Sequence, residues 1–85
     1  MNTRKIFLRL KNGAGITTFY RKSDYISYTI HLSFSHGLFK LHSYFLDGND
    51  VLDEENYKDE KITEISDFNE FMQVLATQFP GITFR

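Results

Sequence analysis

Residues 25–34 (YISYTIHLSF) alternate without interruption. Ile26, Tyr28, Ile30, Leu32 and Phe34 share one side; Tyr25, Ser27, Thr29, His31 and Ser33 share the other. A period of two over this length predicts a β-strand with one buried face. Ser35-His36-Gly37 follows as a turn, and residues 38–46 (LFKLHSYFL) return with the opposite parity. A two-residue turn at His36-Gly37 sets Phe34 against Phe39, Leu32 against Leu41 and Tyr28 against Phe45. A slip of one residue would push half of these side chains into water.

Two earlier segments extend the pattern. In residues 4–11 (RKIFLRLK), Ile6, Leu8 and Leu10 alternate with charged residues, which predicts a first strand. Asn12-Gly13 then reads as a hairpin turn, because both residues tolerate positive φ. Residues 16–21 (ITTFYR) are rich in β-formers, with Phe19 assigned to the core side. The expectation is an α+β domain: a four-stranded antiparallel meander over 4–11, 16–21, 25–34 and 38–46. Short fifth and sixth strands at 62–65 and 82–85 would extend it. Residues 67–79 form the single helix, with Phe68, Phe71, Met72, Leu75 and Phe79 in one stripe. Asp67 with Glu70 suits a capping box, Ser66 is the competing N-cap, and Pro80-Gly81 ends the helix.

This arrangement leaves a question of cover. Four strands spaced about 4.8 Å apart make a sheet roughly 19 Å wide, whereas one helix covers about 10 Å. The sheet must curl beneath residues 47–65, or a second copy (a homodimer) or another partner must cover the remainder.

Charge is distributed unevenly. Residues 47–61 hold seven acidic residues and two lysines, a local net charge of −5; the rest of the chain, with eight basic and four acidic residues, carries +4. The acidic stretch reads as a surface loop. It does not suit calcium: counted from Asp47, the fifth position is Val51 and the twelfth is Lys58, where a carboxylate is needed. It does suit imitation of phosphates toward a basic groove on another protein, through Asp50, Asp53, Glu54, Glu55, Asp59 and Glu60.

The polar side of the meander is expected to display Lys5, Phe7, Arg9, Lys11, Tyr20, Tyr25, His31, Lys40, His42 and Tyr44, with no carboxylate. Basic residues interleaved with aromatics suit single-stranded nucleic acid, with Lys5, Arg9, Lys11, Tyr20, Tyr25, Lys40 and Tyr44 as the contacts. They suit the solvated face of an ordinary sheet better, because Lys and Tyr are common there and no nucleic-acid-binding fingerprint accompanies them. His31 and His42 fall opposite each other, but two imidazoles make a weak metal site.

Catalysis has little to build on. The chain has no Cys, no GxSxG, no HExxH and no phosphate-cradling glycine loop opening a helix. No cofactor is expected. Arg9 interrupts the apolar run Ile6-Phe7-Leu8, so no export signal is visible, and no stretch approaches the roughly 18 apolar residues of a membrane span. The expectation is therefore a cytoplasmic, non-enzymatic module that binds a protein partner as an inhibitor or regulator, with single-stranded nucleic-acid binding as the alternative.

Overall fold

The computed structural model describes residues 2–46 and 57–84. The elements run α1 (Thr3–Lys11), β1 (Ile16–Arg21), β2 (Ser27–Ser35), β3 (Leu38–Leu46), β4 (Tyr57–Ile65) and α2 (Phe68–Gln78). The four strands form one antiparallel sheet in the order β1-β2-β3-β4, and two helices complete an α+β fold.

The central hairpin has the register its alternation demands. Phe34 pairs with Phe39, Leu32 with Leu41, His31 with His42 and Tyr28 with Phe45. His36 and Gly37 have φ of 53° and 79°, the double positive φ of a type I′ turn, which matches the twist of the flanking strands.

Residues 4–11 are a helix, not the expected strand. In this short run Ile6 and Leu10 are spaced by four, so the alternating pattern also makes a helical stripe, and both are buried. The ends settle the choice. Asn2 caps the start, its Oδ1 accepting from the Lys5 N–H at 2.9 Å. Asn12-Gly13 closes the other end instead of turning a hairpin. The Gly13 N–H donates to Leu10 O at 3.0 Å, the Ala14 N–H donates to Arg9 O at 3.1 Å, and Gly13 has φ 86°. These are the paired bonds of a Schellman cap. Positive φ serves both a hairpin turn and a helix end, so Asn-Gly alone does not discriminate between them. Arg9 and Lys11 in the last turn also favour the helix dipole.

The fourth strand is β4. Its Tyr57–Lys61 part falls within the stretch read as an acidic loop, and its remainder is the expected short strand at 62–65. An edge strand tolerates this charge because its outer rim meets solvent. The β3–β4 register shifts between Ser43 and Phe45, and Asp59 there has φ 49°. The bulge sends Asp59 to Tyr28 on the core side and Glu60 to His42 on the other side.

Both helices lie on the same side of the sheet, which answers the question of cover from within one chain. Ile6 and Leu10 of α1 and Phe71, Leu75 and Phe79 at α2 join Ile16, Tyr28, Ile30, Leu32, Phe39 and Leu41 in one core. Phe7 bridges the layers, its ring 6.0 Å from Phe39 and 4.9 Å from Phe68. Asp67 is the N-cap of α2, its Oδ2 accepting from the Glu70 N–H at 2.9 Å. Residues 82–84 are not a strand; Phe84 inserts into the core.

Two expected core residues face outward. Leu8 lies on the exposed side of α1, and Phe19 is 69% exposed on β1. In β1 the inward positions are Ile16, Thr18 and Tyr20, paired with Leu32, Ile30 and Tyr28. Tyr20 holds this parity: its ring meets Phe79 at 5.3 Å and its hydroxyl donates to Pro80 O at 2.9 Å.

Candidate binding surface

The side of the sheet opposite the helices is built from two adjacent cross-strand rows. The pairings align Thr17, His31, His42 and Ile62 in one row. Phe19, Thr29 and Tyr44 form the next. The centre is a hydrogen-bonded network. His31 Nδ1 shares a hydrogen bond with Thr17 Oγ1 at 2.9 Å, and its Nε2 shares one with the Tyr44 hydroxyl at 3.3 Å. His42 Nε2–H donates to the Glu60 carboxylate at 2.7 Å. The two imidazole rings stand 5.9 Å apart. Phe19 on β1 and Ile62 on β4, 69% and 54% exposed, flank this centre toward the two edges.

Burial, and secondarily the neighbouring His42, hold His31 below its ordinary value of 6.5. His31 therefore supports folding in its neutral form. That contribution is complete above pH 6.5 and is lost as pH falls through the lowered folded value. In a histidine NMR titration the His31 midpoint falls below 6.5, and His42→Gln moves it upward. A His31 midpoint at or above 6.5 in the unaltered protein would contradict this account.

A small polar hollow lies at one end of the core side, lined by Tyr28, Ser43, Asp59, Lys61, Lys22 and Gln78. The Tyr28 hydroxyl donates to Asp59 Oδ2 at 2.6 Å. That bond, with burial and the carboxylate's charge, pushes the Tyr28 phenol up to about 12, and the same bond holds the Asp59 carboxyl below its usual range. The raised phenol stabilises the fold below pH 10, its ordinary value, and this contribution is lost as pH rises toward about 12. The stability advantage of the parent over Tyr28→Phe, measured by urea unfolding, should therefore shrink across that interval. The hollow measures about 90 Å³, well under the roughly 300–1,000 Å³ of sites for drug-sized ligands.

The residues singled out from the sequence scatter. Asp50, Asp53, Glu54 and Glu55 lie outside the described residues. Asp59 and Glu60 lie on β4, bonded to Tyr28 and His42. Lys5, Arg9 and Lys11 lie on α1, off the sheet face to which alternation assigned them. Lys11 stands 4.3 Å over the Phe34 ring. Tyr20 points to the core side, and Tyr25 is exposed in the β1–β2 connection. Only Lys40 and Tyr44 remain on the outer face, and Tyr44 is buried beside the two histidines. The face is not free of carboxylates either, because β4 brings Glu60 to His42 and pairs Glu64 with Lys40. Phe19 and Ile62 were the residues missed as surface features. Alternation in ITTFYR and in KITEI marks two faces per strand but does not say which one the sheet buries.

Among the described residues, no three His, Cys, Asp or Glu side chains converge as a metal site requires. No helix among them is long and apolar enough to cross a membrane. Compared with known proteins, the chain matches no family model, no curated protein and no solved structure.

Proposed function

We propose that this chain is a small, non-enzymatic cytoplasmic module that binds a protein partner through the outer face of its sheet and acts as an inhibitor or regulator by occupying it. The observation that carries this reading is the exposure of Phe19 and Ile62 on the side away from both helices. Large apolar side chains flanking a hydrogen-bonded polar centre suit a protein surface, which can bury the former and satisfy the latter.

The test is affinity capture from lysate of the source organism, run in parallel with Ile62→Asp. A stoichiometric partner is captured by the parent protein and lost with the variant, while circular dichroism stays unchanged. Equal capture by both would remove the outer face from the interaction.

Single-stranded nucleic acid is the second reading, favoured by Arg4, Lys5 and Arg9, all exposed on the acid-free helix α1. Phosphate contact there predicts oligonucleotide retardation that falls steeply with salt and disappears when all three become Ala. No retardation at low salt would exclude it.

A further inference from the structure

We infer that β1 is a pairing edge: it joins β1 of a second copy, antiparallel about a two-fold axis at Phe19, and continues the sheet across two chains. This pairing goes beyond the protein-partner reading above: it uses the backbone edge of β1 and shares Phe19 with the outer face, while Ile62 on β4 lies outside it.

The backbone of β1 has a determinable phase. The Lys22 N–H donates to Ile26 O at 2.9 Å, continuing the ladder in which Tyr20, Thr18 and Ile16 face Tyr28, Ile30 and Leu32. In an antiparallel pair, hydrogen-bonded and non-bonded positions alternate. The even-numbered residues of β1 therefore turn their N–H and C=O groups toward β2. Thr17, Phe19 and Arg21 turn theirs toward the open edge, where no strand pairs among the described residues.

The two edges of the sheet are guarded very differently. β4 carries Lys58, Asp59, Glu60, Lys61 and Glu64, and it is broken by the bulge at Asp59. Charge and bulges are the usual means of keeping an edge from pairing. β1 has neither over Ile16–Tyr20: the run contains no charge, Pro or Gly, and its register to β2 is regular throughout. Only Arg21, at its end, is charged.

The edge is also self-complementary. Continuing the sheet with the same side facing the helices requires odd-numbered residues to meet odd-numbered ones. Centring on Phe19 sets Phe19 against Phe19 of the second copy and Thr17 against its Arg21. Every outward backbone group of β1 then exchanges N–H···O bonds with its counterpart, and no like charges face each other. The same register covers the exposed Phe19 ring with its symmetry mate, an aromatic cross-strand pair. Centring on Thr18 would instead bring Gly15, outside the strand, against Arg21 and leave Phe19 facing threonine. Thr83 lies beside this strand, its carbonyl accepting from Thr18 Oγ1 at 3.4 Å, and with Thr17, Thr18 and Phe19 it borders an open groove of about 360 Å³.

Sedimentation velocity from micromolar to millimolar protein tests the pairing. The expected result is a rise from the 10.0 kDa monomer toward twice that mass. Thr17→Pro removes an outward N–H that the sheet does not use, so it keeps the circular dichroism spectrum and stays monomeric. Phe19→Lys, which leaves every backbone donor in place, raises the dimer dissociation constant by about tenfold or more. A parent protein that stays monomeric at millimolar concentration overturns the inference. So does a dimer unaffected by Phe19→Lys, or by a folded Thr17→Pro.

Discussion

Replacing Phe71 with alanine should lower folding stability by about 3–5 kcal/mol, a large part of the roughly 5–15 kcal/mol that holds a domain together. Phe71 is fully buried on α2, with its ring 5.5 Å from Phe39 of β3, which in turn meets Phe34 and Phe68. Truncation removes the ring from this aromatic cluster and opens a cavity between α2 and the sheet. Phe71 and Leu75 are the buried residues of this helix, and in an 85-residue chain few layers lie beneath them to collapse into the gap. Urea unfolding checks the magnitude: the midpoint drops while the slope stays constant. The exposed Gln73→Ala on the same helix serves as the control, within about 0.5 kcal/mol of the parent. A loss below 1 kcal/mol for Phe71→Ala would mean that α2 does not pack as described.

Leu10→Ala should cost about 2–5 kcal/mol, whereas Leu8→Ala should stay within about 0.5 kcal/mol. Leu10 is fully buried and Leu8 is 48% exposed. The contrast is diagnostic of α1. In a strand, residues two apart share a face, so both substitutions would cost alike. In a helix they point about 200° apart, and Ile6 is the residue that shares a face with Leu10. Equal losses from the two variants would return residues 4–11 to a strand. Unequal losses also identify α1 as the second cover of the sheet, because Leu10 has no other apolar surface to lose.

The outer face shows where sequence reasoning about the site stopped. It was drawn from strand parity, and parity correctly placed His31, His42 and Lys40 there. It failed wherever a segment changed type or phase. Lys5, Arg9 and Lys11 left the face when α1 became a helix, and Glu60 and Glu64 entered it when β4 joined β3. A basic, acid-free surface thus became a mixed one, with its own hydrogen bond between His42 and Glu60.

Local chemistry alone determined the β2–β3 hairpin and α2. Long alternation leaves one face to bury, His36-Gly37 admits the positive φ of its turn, and Asp67 and Pro80-Gly81 bracket a single apolar stripe. Tertiary structure decided α1 and β4. Residues 4–11 satisfy either period, so the choice fell to what lay nearby: a sheet twice as wide as one helix, which a second helix could cover and another strand could only widen. Residues 57–61 are too charged to announce a strand, and they join the short strand at 62–65 because the free edge of β3 offers their backbone hydrogen bonds that no local interaction could supply.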